Sequence, residues 1–169
     1  MAEAPDAVIV IDDDSEVRDA LKRLLRSVGL AVSLYANVSE FLKAGRPNGP
    51  TCLVLDVRLP GKSGLDFQRE LSDAGLRLPI VFITGHGDIP MSVGAIKGGA
   101  IEFLTKPFRD QDLIDAVQVA LDRDRSRRQA EGTISNLRAK FEKLTPREQD
   151  VMALVVTGLM NKQVAAKIG

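Results

Sequence analysis

The chain has 169 residues, of which 44% are hydrophobic, and its 23 Lys and Arg residues balance 23 Asp and Glu residues. This composition supports a packed core and argues against wholesale disorder. The sequence has no apolar run long enough for a membrane span, its acidic N-terminus differs from a signal peptide, and its single cysteine cannot form an intrachain disulfide. We therefore expect a cytoplasmic protein without membrane association.

Charge is unevenly distributed along the chain. Residues 1–121 carry 13 basic against 17 acidic side chains, whereas residues 122–169 carry 10 basic against 6 acidic ones. An acidic first part followed by a basic second part indicates two functional regions, although a solvated linker with incidental charge would give the same pattern.

Short apolar runs alternate with helical patterns through the first 121 residues. The runs are rich in β-branched residues and predict strands at 7–11, 31–35, 51–56, 79–84 and 101–104. The spacing of apolar residues predicts helices at 15–28, 39–44, 64–74 and 90–98, and Asp110 begins a longer helical pattern. Strands that alternate with helices predict an α/β fold, a flavodoxin-like five-stranded parallel sheet of order 2-1-3-4-5.

Polar residues stand where four of the predicted strands end. They are Asp12, Asp13 and Asp14 after the first strand, Asp56 at the end of the third, Thr84 at the end of the fourth, and Thr105, Lys106 and Pro107 after the fifth. Sites in such sheets form just outside the carboxyl ends of the strands. An Asp after a strand is often only a helix cap, as Asp14 would be. Together, however, these residues predict one site with carboxylates, a hydroxyl and an ammonium group.

The chemistry of such a site follows from its charges. Clustered carboxylates repel one another, and a hard divalent cation with oxygen ligands removes the conflict. Mg²⁺ suits one or two carboxylates together with water and phosphate oxygens, so we expect Mg²⁺ as the cofactor. With Mg²⁺ bound, an Asp carboxylate of this cluster can stay ionised and act as a nucleophile on phosphorus, and Lys106 and the Thr84 hydroxyl could stabilise charge on the transferred oxygens.

Residues 5–122 resemble the receiver domain of two-component response regulators. The resemblance is carried by VIVIDDDSEVR (8–18), LVLDVRLPGKSGLDF (53–67), PIVFITGHGD (79–88) and GAIEFLTKPF (99–108). It implies that Asp56 is the phosphoacceptor and that Lys106 contacts the phosphoryl group. It also implies a Mg²⁺ site formed by Asp13, Asp56 and the backbone carbonyl of Arg58, assisted by Asp12.

The same resemblance implies a conformational switch. Thr84 and Phe103 match the family's switch pair, and a cis bond is expected before Pro107. The segment TGHGDIPMSV (84–93) is similar to the FixJ branch of the family. Arg58 and His86 occupy positions that border the phosphoryl group, so we hypothesise that they tune its lifetime. The alternative is that His86 is only a loop residue.

Two other phosphate chemistries fit the sequence less well. PGKSG (60–64) contains GKS, with which the P-loop motif ends. That motif requires a glycine five residues before Gly61, but this position is Asp56, which argues against nucleotide binding. A Mg²⁺-dependent phosphohydrolase with an Asp nucleophile would need a second Asp two residues later. That position is Arg58.

The sequence after residue 122 is typical of a linker. Residues 122–129 are charged (DRDRSRRQ), and Ile134, Leu137 and Phe141 then form a new apolar stripe. We predict a semi-rigid helical linker over 123–141, with its exposed middle held by charge pairs. Gly132 argues against one unbroken helix, and a coiled-coil dimer is an open alternative.

Residues 142–169 predict a helical hairpin. Thr145, Pro146 and Glu148 form a helix start with a capping box, and Val151, Leu154 and Val155 are expected to face a core. The segment LTPREQDVMALVVTGLMNKQVAAKIG (144–169) resembles the start of the LuxR-type helix-turn-helix module. That resemblance implies a DNA-binding domain whose recognition helix is absent from this chain, so DNA binding is expected only of a full-length form.

The two resemblances together imply a transcriptional regulator that receives a phosphoryl group from a sensor histidine kinase. Phosphorylation is then expected to promote a homodimer through helix 4, strand 5 and helix 5. The chain would catalyse only its own phosphorylation and slow dephosphorylation, so it is not a metabolic enzyme. A receiver that acts only through protein contacts, as an adaptor or a phosphate sink, is the alternative.

Overall fold

The computed structural model describes residues 2–158 and 160–168. They form two compact units, of which the first ends at Arg127 and the second begins at Arg128. Within these described residues, no helix combines the length and the apolar character needed to cross a membrane.

The first unit is built on a parallel sheet. Its strands are β1 (Ala7–Ile11), β2 (Ala31–Tyr35), β3 (Thr51–Asp56), β4 (Ile80–Thr84) and β5 (Glu102–Thr105). Their order across the sheet is β2-β1-β3-β4-β5, which confirms the flavodoxin-like arrangement expected from the sequence. Every residue of β1, β3 and β4 is buried, as expected for central strands of a sheet covered on both faces.

A helix follows each strand. They are α1 (Ser15–Ser27), α2 (Val38–Ala44), α3 (Gly64–Asp73), α4 (Ile89–Lys97) and α5 (Asp110–Glu142). The first four begin at side chains that accept backbone N–H groups of the first turn, namely Asp14, Asn37, Ser63 and Asp88. Strand and helix bounds up to residue 105 differ from the predicted ones by one residue at most.

Two apolar clusters cover the two faces of the sheet. On one face α1 and α5 pack against the strands through Leu21, Leu25, Leu113, Val117 and Leu121. On the other face α2, α3 and α4 pack through Phe41, Phe67, Leu71 and Ala95. This double packing holds the strands in register, so that the carboxyl ends of β1, β3 and β4 lie side by side.

Helix α5 departs from the sequence-based expectation in two ways. Gly132 lies within the helix without ending it, since glycine costs only about 1 kcal/mol there. Asp124 belongs to the charged stretch expected to face solvent, yet it is fully buried. It is buried because its carboxylate accepts hydrogen bonds from Arg46, from Arg127 and from the backbone N–H of Thr51.

The second unit, taken by itself, contains α6 (Pro146–Val155) and α7 (Asn161–Ile168). The predicted capping box is confirmed, because Thr145 and Glu148 each accept the other's backbone N–H. The predicted buried face of α6 is wrong. Val151 and Val155 are 38% and 48% exposed, and no residue of α6 is buried. Two short helices provide too little surface to enclose a core.

Candidate functional site

The carboxyl ends of the strands bring three acidic side chains together. Asp12 follows β1, Asp56 ends the neighbouring β3, and Asp13 is the next residue after Asp12. One carboxylate oxygen from each of the three lies within 4.8 Å of the others. Asp12 and Asp56 are buried, whereas Asp13 is exposed. This edge of the sheet therefore carries concentrated negative charge that is partly shielded from water.

Lys106 places a cation against this cluster. Its Nζ lies 2.7 Å from Oδ2 of Asp12 and 3.7 Å from Oδ2 of Asp56. The backbone N–H of Lys106 donates to the carbonyl of Thr84 at 2.8 Å, which fixes the loop after β5 to the end of β4. The Lys106–Pro107 peptide bond is cis. The ammonium group thus lies within 4 Å of both buried carboxylates.

The environment of Asp56 alters its acidity. Burial raises the pKa of the Asp56 carboxyl, while the backbone N–H of Arg58, 3.1 Å from Oδ1, lowers it. The charge of Asp12 raises this pKa further, Lys106 lowers it, and Asp13 adds another increase. Since desolvation and like charges disfavour the ionised form, the site gains from an added cation.

Asp12 and Asp14 have different tasks. Asp12 accepts the backbone N–H of Asp14 at 2.9 Å through Oδ1, which leaves Oδ2 for Lys106. Asp14 accepts the backbone N–H of Glu16 and caps α1, the role that its position after a strand indicated. Arg18 donates to the backbone carbonyl of Asp12 at 2.7 Å. This contact was not foreseen, since nothing in the apolar spacing distinguishes Arg18 from other polar residues of α1.

Gly64 sets the shape of the segment that follows Asp56. A Cβ at this position would lie 2.4 Å from the backbone oxygen of Asp56, so only glycine fits without displacement of the backbone. The N–H of Gly64 also donates to the carbonyl of Val57 at 2.8 Å. The start of α3 is therefore held directly against the end of β3. The sequence predicts only the start of a helix at Gly64, because the close approach of two backbone segments leaves no pattern in the local sequence.

Thr84 and Phe103 lie on the neighbouring strands β4 and β5. Thr84 is buried, and its hydroxyl oxygen accepts the backbone N–H of His86 at 3.2 Å. The half-buried ring of Phe103 lies 6.3 Å from that of Phe82. It also contacts the loop after β4, since a Cβ on Gly87 would lie 2.8 Å from Cε1 of Phe103. The loop that holds the hydroxyl therefore rests on the aromatic ring.

Arg58 and His86 contact the site through their backbones. Each donates its N–H to the side chain two residues earlier, Arg58 to Asp56 and His86 to Thr84. Both residues are exposed. These two hydrogen bonds with the site are thus made by the backbone, not by the side chains.

The residues present fit a hard divalent cation. Oxygen atoms from Asp12, Asp13 and Asp56 form the donor set, and Mg²⁺ prefers such carboxylate oxygens together with water. The raised pKa of Asp56 points the same way, because a cation would stabilise its ionised form.

Two family models match the chain. The family described as "Response regulator receiver domain" matches residues 8–118. The family described as "Bacterial regulatory proteins, luxR family" matches residues 142–169.

Several known proteins resemble the chain over nearly its whole length. "Nodulation protein W" of Bradyrhizobium diazoefficiens is 59% identical over 162 residues, which is 96% of this chain and 71% of that protein. "Transcriptional regulatory protein FixJ" of Azorhizobium caulinodans is 43% identical, over 96% of this chain and 77% of that protein. The solved structure of the response regulator StyR is 50% identical, with a TM-score of 0.87 over 98% of this chain and 84% of that chain.

The receiver match lies within the first structural unit and includes the three acidic residues of the site. The luxR-family match lies within the second unit. The receiver match covers more than half of the chain, and the similar proteins include one named as a transcriptional regulatory protein and one named as a response regulator. The chain belongs to the two-component response regulators, with a receiver domain followed by a LuxR-type DNA-binding region.

Proposed function

We propose that Asp56 is the phosphoacceptor of this response regulator and that a sensor histidine kinase is the donor. The observation that carries the proposal is the position of Asp56. It is a buried carboxylate at the carboxyl end of a central strand, close to two further carboxylates and within 3.7 Å of the Lys106 ammonium group. Its loop is fixed by the Arg58 N–H and by contact with Gly64. A fixed, ionised oxygen of this kind is a suitable nucleophile for phosphorus.

We propose that Asp12, Asp13 and Asp56, with the backbone carbonyl of Arg58, hold Mg²⁺. When bound, Mg²⁺ would neutralise the clustered carboxylates and polarise the oxygens of the incoming phosphoryl group. The protein's own contribution is position. The Arg58 N–H orients Oδ1 of Asp56, and Lys106, within 3.7 Å of Oδ2, stabilises charge on the transferred oxygens.

Lys106 gives a direct test of this arrangement. Lys106→Ala should slow phosphorylation by acetyl phosphate with Mg²⁺, whereas Lys97→Ala, on α4 and outside the site, should react as the wild type does. Equal rates for the Lys106→Ala and wild-type proteins would contradict the role proposed for this ammonium group. Arg58→Ala and His86→Ala test the proposed tuning of phosphoryl lifetime, which should change in at least one of them.

We propose that Thr84 and Phe103 transmit phosphorylation to the surface formed by α4, β5 and α5. The Thr84 hydroxyl accepts a hydrogen bond from the loop that contacts the Phe103 ring. Movement of the hydroxyl toward a phosphoryl group would therefore change the contacts and the position of that ring. The expected homodimer surface carries exposed apolar side chains. Val93 and Ile96 of α4 are each 45% exposed, and Val119 of α5 is 53% exposed. Such side chains fit a population shift toward a dimer.

Dimerisation can be separated from phosphorylation by one substitution. Sedimentation velocity should show a dimer of the wild type after treatment with acetyl phosphate and Mg²⁺, and no dimer of Asp56→Asn. Val119→Lys should be phosphorylated but remain monomeric. Leu42→Lys, at an apolar residue of α2 that is 54% exposed, is the matched control and should dimerise. A Val119→Lys protein that dimerises normally would remove this surface from the account.

We propose the domain boundaries 5–122 for the receiver, 123–141 for a helical linker and 142–169 for the first part of the LuxR-type domain. Phosphorylation would then control transcription through DNA binding by a full-length form, in the bacterial cytoplasm where the kinase and the DNA meet. A DNA-binding assay on phosphorylated and unphosphorylated full-length protein tests this output. Binding that does not depend on phosphorylation would contradict it.

A further inference from the structure

A cleft lies at the edge of the sheet opposite to Asp56. It has a volume of about 510 Å³ and is lined by the loops that enter β4 and β5 and by α5, with Leu71, Leu76, Ile80 and Ile101 among its apolar residues. Sites for small molecules usually fall between about 300 and 1,000 Å³ and combine apolar walls with a few placed polar groups. The cleft therefore has the size and the character of a ligand site.

A buried amide closes the interior of the cleft. Gln68 is 6% exposed, and its Nε2 donates to the carbonyl of Ala95 at 2.9 Å. Its Oε1 would lie 2.7 Å from a Cβ at Gly98, so glycine at this position makes room for the amide. The side chain of Gln68 is thus held in one orientation beside the space that a ligand would fill.

Three of the four charged side chains described in the lining are basic. Arg77, Arg123 and Arg127 line the cleft, and Asp124 is the one acidic side chain among its described lining residues. Asp124 is already bound by Arg127 at 2.6 Å and by Arg46 at 2.7 Å. Within residues 2–158 and 160–168, the structure pairs neither the Arg77 nor the Arg123 guanidinium with a carboxylate. The cleft consequently presents positive charge beside an apolar interior.

A hydrogen-bond network centred on the buried Asp124 builds the frame of the cleft. Nη1 of Arg46 donates to the backbone carbonyl of Arg77 at 3.1 Å, and Nη2 donates to Asp124 at 2.7 Å. Asp124 also accepts the backbone N–H of Thr51 at 2.9 Å and is fully buried. The loop that carries Arg77 and the helix that carries Arg123 are therefore tied to the same two side chains. The backbone segments that carry the two arginines are therefore held in place, while both side chains are exposed.

We propose that this cleft binds an organic anion, with its carboxylate or phosphate group held by Arg77 and Arg123 and its apolar body held against Leu71, Leu76 and Ile101. Guanidinium groups bind both kinds of anion through paired hydrogen bonds, and Arg77 and Arg123 both line this cleft. The apolar walls select against small inorganic anions, since these would leave the interior without contacts. This site is separate from Asp56 and does not depend on phosphorylation.

The proposal can be tested by NMR titration of ¹⁵N-labelled protein in EDTA, which prevents phosphoryl transfer. The backbone amides of Gly75, Gly98 and Gly99 line the cleft and serve as reporters. The probes are 2-naphthoate and 1-naphthyl phosphate, which share an apolar body and differ in the anionic group. The neutral 2-naphthamide and free acetate are the controls, because each lacks one of the two required features.

Saturable shifts of the three glycine amides are expected with either or both naphthyl anions, and the tighter probe identifies the preferred anionic group. Arg77→Ala and Arg123→Ala should each weaken binding about tenfold. Arg69→Ala, on α3 and 77% exposed, is the matched control and should bind as the wild type does. The same spectra report whether each variant is folded. Absence of saturable shifts, equal binding of 2-naphthamide, or unchanged affinity of both arginine variants would overturn the proposal.

Discussion

Asp124 gives the sharpest test of how α5 is attached to the receiver. It is fully buried, and its carboxylate accepts hydrogen bonds from Arg127 at 2.6 Å, from Arg46 at 2.7 Å and from the N–H of Thr51 at 2.9 Å. Asp124→Ala would remove the carboxylate to which two guanidinium groups and a buried backbone N–H donate. Removal of one partner of a buried ion pair costs about 3–5 kcal/mol.

The lower end of that range applies here. The side chains of Arg46 and Arg127 are 30% and 20% exposed, so water can replace part of what they lose. We therefore expect Asp124→Ala to lower the free energy of unfolding by about 3 kcal/mol, a large share of the about 5–15 kcal/mol typical of a domain. With a urea dependence of about 2 kcal/mol per molar, the unfolding midpoint should fall by about 1.5 M.

The assay is urea unfolding followed by circular dichroism. Asp122→Ala is the matched control, because Asp122 also pairs with an arginine of α5 but its side chain is 61% exposed. Exposed pairs contribute about 0–1 kcal/mol, so this variant should unfold close to the wild type. If Asp124→Ala and Asp122→Ala unfolded at the same urea concentration, Asp124 would not anchor the helix, and the frame described for the cleft would lose its basis.

Three further predictions concern the acidic site. In EDTA, Asp13→Asn should raise the melting temperature because it removes one of three neighbouring carboxylates, and added Mg²⁺ should stabilise the wild type more than this variant. Because burial raises the pKa of Asp56 above its unfolded value of about 3.9, ionisation of Asp56 opposes folding. Without metal, the wild type should therefore lose stability relative to Asp56→Asn as the pH rises from about 4 through that raised pKa, and parallel pH profiles would contradict the shift. Gly64→Ala should cost about 1–3 kcal/mol and slow phosphorylation, since its Cβ would lie 2.4 Å from the Asp56 backbone oxygen, whereas Gly94→Ala, with open space around its Cβ, should be tolerated.

The sheet and the identity of its strand ends could be predicted from the sequence. Apolar runs such as those before Asp12 and Asp56 are short, rich in β-branched residues and bounded by turn residues, so the strands stand out locally. Their order follows because parallel strands with right-handed crossovers leave few topologies. The convergence of Asp12, Asp56, Thr84 and Lys106 then follows from the rule on carboxyl ends.

The features that escaped prediction depend on contacts between distant parts of the chain. Asp124 lies 73 residues from Thr51 and 78 from Arg46, so its charged neighbours indicated a solvated helix while its actual partners are buried. Likewise, the sequence placed Lys106 near a phosphoryl group but did not show that its shorter contact is with Asp12, at 2.7 Å against 3.7 Å for Asp56. Such pairings depend on distances between strands and helices, which local periodicity does not contain.

The central claim is that Asp56 accepts a phosphoryl group when Mg²⁺ is present. It is tested most directly by incubation of the wild type and Asp56→Asn with acetyl phosphate, with Mg²⁺ or with EDTA, followed by intact-mass measurement. The account predicts the mass gain of one phosphoryl group for the wild type with Mg²⁺ only, and none for Asp56→Asn under either condition. A wild type that gains no mass while a control receiver reacts, or an Asp56→Asn protein that gains it equally, would contradict the account.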